Sequence, residues 1–189
     1  MDQFIRREED DADALVAFWE GDAPSEGDQA SVDAGDRLVI FDESGLRAAF
    51  DPGRHVLPAI PSSDDGVYVA FVSQKRYTLE NDGELADDDL ETGYSLRATV
   101  QVRDATKMIE LIAMVDEADL SVEEWLADEI AIDAAAAAGE ADIELEDVGD
   151  QLASIRDAAI ATANDVLSEH GIELLSIDEL AYGEVDDDD

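Results

Sequence analysis

The sequence predicts an α+β fold, an antiparallel or mixed β-sheet with two to three packed helices. Three observations carry that prediction. Residues 94–103 alternate apolar and polar without error, with Tyr94, Leu96, Ala98, Val100 and Val102 on one parity, which marks a strand with one buried and one wet face. At Asp104 the apolar period changes from two to about 3.6, and helical spacing then persists to Glu169. After Gly171 the segment Ile172-Glu173-Leu174-Leu175-Ser176-Ile177 returns to alternation. Strands come first, helices follow, and one strand closes the chain.

Taken in order, residues 1–30 read as a partly ordered acidic lead-in, 31–180 as the α+β domain and 181–189 as a disordered acidic tail. Asp36-Arg37-Leu38-Val39-Ile40-Phe41 reads as a β-branched strand, with Asp42-Glu43-Ser44-Gly45 as its hairpin turn and Leu46–Phe50 as its return. Asp51-Pro52-Gly53 is a tight turn, because proline presets φ and glycine accepts a positive one. Gly66–Leu79 reads as one strand, and 80–93 as an acidic loop before the clean strand at 94–103. Asp104 caps the first helix, which carries Met108, Ile109, Leu111, Ile112 and Val115. Ser121-Val122-Glu123-Glu124 is a capping box opening a second helix, with Gly139 as its stop. A third helix spans about 145–169, with Leu145, Val148, Leu152, Ile155, Ala159, Thr162 and Val166 at 3-4-3-4 spacing, and Gly171 closes it.

The chain carries 51 acidic and 11 basic groups among 189 residues, a formal charge of -40. With 46% hydrophobic residues and no cysteine, it can build a core without a disulfide frame, a thiolate zinc site or a cysteine nucleophile. No apolar run approaches the ~20 residues of a membrane helix, and the first residues lack the pattern of a signal peptide. Nucleic acid is excluded as a partner, since a polyanion is held by clustered Lys and Arg. A folded chain of this size exposes on the order of 9,000 Å², about one carboxylate per 170 Å². The Debye length is ~10 Å at 0.1 M salt and ~3 Å at 1 M, so neighbouring carboxylates repel in dilute buffer and hardly at all in brine. With Lys75 and Lys107 the only lysines, the composition is that of a halophile protein, and it speaks of the solvent rather than of the partner.

No catalytic constellation stands out in the sequence. His55 and His170 lack any HExxH-type ligand spacing. The expected roles are local packing for His55 and a C-terminal capping cation for His170. Asn81-Asp82-Gly83 fits a turn better than a calcium loop, since Thr78 and Asp89 would fall where an EF-hand needs Asp and Glu. Asp87-Asp88-Asp89 and Asp186–Asp189 read as solvated surface able to collect divalent ions only weakly. There is no Gly-rich phosphate loop, no G-x-S-x-G elbow and no dinucleotide fingerprint. Carboxylates for acid–base work cannot be singled out, because every segment carries them. The expectation is a protein that is not an enzyme, with no catalytic, metal or cofactor residues.

The segments together resemble the SPFH, or band 7, family of stomatin, prohibitin and flotillin. The likeness rests on the strand Gly35–Phe41, the turn Pro52-Gly53-x-His55 with the nearby Pro58, the strand 94–103 running into Asp104-Ala105-Thr106-Lys107-Met108-Ile109, and the helix 145–169 leading to His170-Gly171-Ile172-Glu173-Leu174. Val67-Tyr68-Val69-Ala70-Phe71-Val72 is similar to the soluble, virion-core-protein-like subgroup, here of haloarchaeal type. The likeness covers about residues 30–180. Ala105 stands where the family usually has proline, and the N-terminal hydrophobic segment of membrane-bound members has no counterpart.

The resemblance implies a scaffold: a self-associating module, cytoplasmic and able to sit at the membrane periphery, with no chemistry of its own. The Ala-rich face of the third helix is read as covering the sheet rather than a neighbouring copy. The alternative is a monomeric adaptor that holds a protein partner on a basic strand face formed by Arg97 and Arg103 with Lys75 and Arg76 nearby. The competing expectation is that these cations pair with local acids, which contributes little at a surface. Direct lipid binding is opposed by repulsion from anionic membranes, though molar salt mutes it.

Overall fold

The computed structural model describes residues 3–60, 66–87 and 90–183. The chain divides into two compact units, Met1–Lys75 with Val102–Met114, and Arg76–Gln101 with Val115–Asp189; they are called units 1 and 2. Strands, helices and a final strand occur in the α+β order expected.

The described residues of unit 1 form seven strands in two sheets. Phe4–Arg6 (β1), Gln29–Val32 (β3) and Gly53–Val56 (β6) form one sheet in the order β1-β3-β6. Val16–Phe18 (β2), Asp36–Asp42 (β4), Gly45–Phe50 (β5) and Tyr68–Ser73 (β7) form the other, in the order β2-β7-β4-β5. The core contains Ile5, Ala30 and Val32 from the first sheet and Ala17, Leu38, Ile40, Val69 and Phe71 from the second, closed by Leu57. Alternation explains the assignment, since each contributing residue is separated by one from the next inward-facing side chain. The hairpin turn at 42–45 is fastened by Asp42, whose carboxylate accepts from Ser44 N at 2.8 Å and from Arg47 Nε at 2.6 Å. Asp104 accepts from Thr106 N at 3.0 Å and caps a short 3-10 turn, Ala105–Met108, which packs on β4 and leads into Ile109–Glu117 (α1).

Unit 2 contains Arg76–Asp87 (β8), Leu90–Val102 (β9, whose last residue belongs to unit 1) and Ile172–Gly183 (β10), in the order β10-β9-β8. Val122–Glu140 (α2) packs on β8, and Val148–Leu167 (α3) packs on both α2 and β10. The capping box is present: Glu124 N donates to Ser121 Oγ at 3.0 Å, and Ser121 N donates back to Glu124 Oε2 at 2.8 Å. Two tyrosines fasten α2 to the sheet. Tyr94 donates to Asp128 Oδ1 at 2.5 Å, and Tyr182 donates to the carbonyl of Ala131. Asn164 on α3 accepts from Leu174 N at 2.8 Å and donates to Leu174 O at 3.0 Å, satisfying backbone groups that an edge strand otherwise leaves open.

Several elements differ from the sequence prediction. The lead-in is not separate from the fold: residues 4–6, 16–18 and 29–30 supply strand and core, with Ile5 and Leu15 fully buried. The segment 66–79 is not one strand. It breaks at Gln74, whose N–H bonds Gly35 O, and β7 and β8 join different sheets. Residues 80–87 and 90–93, expected as a loop, continue β8 and β9 as a paired ladder, and the Asn81-Asp82-Gly83 turn is strand throughout. Helix α2 runs through Gly139 to Glu140, and Asp142, at φ 54°, takes the left-handed position instead. Late in α3 the buried stripe passes through Ala163 and Leu167 rather than Thr162 and Val166. Tyr182, placed in the tail, is buried at the end of β10; Asp88, Asp89 and 184–189 lie outside the described residues.

Candidate interaction site

The turn motif serves the fold. Pro52 and Gly53 carry the chain from β5 in one sheet to β6 in the other, and Gly53 adopts φ 138°, a conformation that favours glycine. His55 donates from Nε2 to Asp51 O at 2.7 Å, and its ring lies 5.2 Å from Phe50. Pro58 is exposed just after the buried Leu57. His170 ends the 3-10 turn that follows α3, ahead of Gly171 at φ 74°, and packs edge-on against Trp125 at 5.3 Å.

The four cations of the proposed basic face are divided between the units. Lys75 and Arg103 belong to unit 1, Arg76 and Arg97 to unit 2. Lys75 Nζ lies 3.7 Å from Asp36 Oδ1, and Arg97 Nε lies 3.1 Å from Glu80 Oε1 across the β8–β9 ladder. Arg76 sits opposite Gln101, and Arg103 is also engaged. Arg97 therefore does what a lone surface cation among acids is expected to do, at little net gain.

Register reveals a different basic surface. In the β1-β3-β6 sheet, Phe4 lies opposite Gln29 and Gln29 opposite Val56; two residues along, Arg6 lies opposite Ser31 and Ser31 opposite Arg54. These six side chains share the face turned away from the core residues Ile5, Ala30 and Val32. None of the six is acidic. Phe4 is 47% exposed and Val56 70%. Among the described residues neither Arg6 nor Arg54 has a carboxylate within ion-pair distance, whereas Arg7, Arg37, Arg47, Lys75 and Arg97 each have one. The sequence hides this surface, because residues 4–6, 29–31 and 54–56 meet only through strand pairing.

Unit 2 presents the opposite character. A groove of about 450 Å³ on its sheet is lined by Glu80, Asn81, Asp82, Ser95, Leu96, Arg97 and Glu179. Unit 1 has 19 acidic and 8 basic residues, a charge of -11; unit 2 has 32 and 3, a charge of -29. Some of that acid is strained. Burial pushes the Glu129 carboxyl above its ordinary range, with Asp133 adding repulsion, and burial with Asp165 nearby does the same to Asp133. Burial first, then the hydrogen bond to Asp128, raises the Tyr94 hydroxyl, so it stays a donor. Among the described residues no group of three or more His, Asp or Glu is placed to hold a metal ion, and no helix is long and apolar enough to cross a membrane.

A family model for the SPFH domain / Band 7 family matches residues 30–181, about four-fifths of the chain. A comparison with curated proteins finds no match.

Proposed function

The chain belongs to the SPFH domain / Band 7 family, and from that premise we propose that it is a self-associating assembly module of a halophile's cytosol, peripheral to the membrane where it meets one. Family membership supports a scaffold-type function in general, and members are generally non-enzymatic. The observation that carries the reading is the family match over residues 30–181. The charge of -40 supports the halophile setting. Its carboxylates repel across a Debye length of ~10 Å in dilute buffer and are screened within ~3 Å in molar salt, so copies can approach each other only in brine or through a locally neutral face.

Particle mass tests the reading. Light scattering and sedimentation in ~3 M KCl, well inside the screened regime, should show mass rising with protein concentration, with and without vesicles. A strict monomer over a wide concentration range sinks it. The adaptor reading has less support: Arg97 already pairs with Glu80, and Arg97 and Arg103 belong to different units.

A further inference from the structure

Building on the self-association reading, we infer that the outer face of the β1-β3-β6 sheet docks into the sheet groove of unit 2 of a second copy, in a head-to-tail contact. Arg6 and Arg54 are the starting point. In a chain with 51 acidic groups, two exposed arginines on one sheet face lack a carboxylate partner among the described residues. They stand beside Phe4 and Val56, both exposed. Aromatic residues and arginine are the side chains that most often anchor protein interfaces.

The groove offers the opposite charge. Arg6 and Arg54 occupy the outer strands of their sheet and flank Ser31 on the middle one. Asp82 and Glu179 occupy the outer strands β8 and β10 and flank β9, with Asp82 directly opposite Ser95. Arg6 and Arg54, in one row through Ser31, lie two strand spacings apart, about 9.6 Å. Two cations on one sheet face thus meet a groove that carries a carboxylate on each of its outer strands. Glu80 is left to Arg97, its partner within the chain.

Symmetry supports the head-to-tail form. A two-fold contact through the sheet face would set arginines against arginines, whereas a heterologous contact sets the cationic face of one copy on the most acidic unit of the next and repeats into a ring or filament. Molar salt favours it. Screening within ~3 Å removes the repulsion between whole molecules, whereas ion pairs that the contact buries are screened much less. The face is small, so each contact is weak and the assembly depends on concentration.

The test uses the full chain in ~3 M KCl, with mass followed against concentration by sedimentation. Arg6→Glu with Arg54→Glu should abolish association, as should Asp82→Lys with Glu179→Lys, and mixing the two variants should restore it, because each then offers the face the other needs. Circular dichroism checks folding, and Arg6→Ser with Arg54→Ser serves as a milder version should the reversal unfold the chain. If the parent associates and the reversals change nothing, or mixing restores nothing, this docking is overturned while self-association stands. A parent that never associates overturns both. If the arginine variants lose only binding to anionic vesicles, the face belongs to a membrane and the inference also falls.

Discussion

Replacing Arg7 by methionine should destabilise unit 1 by about 3–5 kcal/mol. Arg7 follows β1 and is almost fully enclosed, with 4% of its side chain exposed against 2% for Asp36. Its guanidinium donates to Asp36 Oδ2 at 3.0 Å, to Asp11 O at 2.9 Å and to Ala14 O. At that separation an effective dielectric near 20 gives an attraction of about 5 kcal/mol. Methionine keeps much of the packing but leaves the Asp36 carboxylate, among the described residues, with Lys75 alone, at 3.7 Å and 57% exposed, and takes the guanidinium donor from the Ala14 carbonyl, while Asp11 O keeps Ala14 N at 3.0 Å. Lys75→Met, by contrast, should cost at most about 1 kcal/mol, as exposed cations do. The pair Arg7→Met with Asp36→Leu should recover much of the loss, because neither charge is then stranded. Urea unfolding followed by fluorescence of Trp19, in a Trp125→Phe background so that Trp19 reports alone, measures all three. Repeating it across salt separates buried from exposed pairs, since a buried pair is screened much less. A cost for Arg7→Met below about 1 kcal/mol, or one that disappears in molar salt, would refute the reasoning and return residues 3–30 to the status of a lead-in.

Gly83→Ala should destabilise unit 2 by about 1–3 kcal/mol, because a Cβ there would lie 2.6 Å from the Tyr94 ring; unfolding followed by Trp125 reads it. Asp133→Asn should raise stability at neutral pH by less than about 1 kcal/mol, since solvent reaches the group. The sign follows from its raised folded-state pKa. Such an acid stabilises below its unfolded value near 3.8 and loses that contribution as pH rises through the folded one, so the advantage of asparagine should shrink as pH falls toward that value, and an advantage that grows on acidification would count against it.

What could be read in the sequence was whatever a single segment decides for itself. The alternation of residues 94–102, the Ser121–Glu124 box and Gly171 each state their structure within a few residues, and each stands in the fold as expected. What was hidden needed a partner from elsewhere. On β8 the inward parity runs Leu79, Asn81, Gly83, Leu85, which looks like a loop because an amide and a glycine interrupt it. Across the ladder the reason is plain: Gly83 makes room for the Tyr94 ring, and Asn81 donates to its hydroxyl at 3.1 Å. Strands β1 and β2 are three residues each, too short for a period of two to show. Buried residues 159, 163 and 167 follow the drift of a straight helix, which a strict heptad-like spacing misses. The sheet face of Arg6 and Arg54 depends on two registers, one joining residues 25 apart and the other residues 23 and 27 apart, information that no local pattern contains.

The total of -40 conceals the most useful electrostatic fact about the chain, which is its division. Were the charge spread evenly, any two surfaces of two copies would repel alike, and salt alone would decide whether they met. With -11 on one unit and -29 on the other, repulsion is unequal from one approach to another, and it is least where unit 1 supplies arginines. Four of the eight basic residues of unit 1 are spent inside it: Arg7 and Lys75 on Asp36, Arg47 on Asp42, Arg37 on Asp51. Arg6 and Arg54 are spent on no described carboxylate, although a single Asp or Glu at Gln29 or Ser31 would have neutralised them from the strand between. A sequence that places acid on nearly every segment and withholds it from that strand face leaves two arginines with no carboxylate beside them among the described residues.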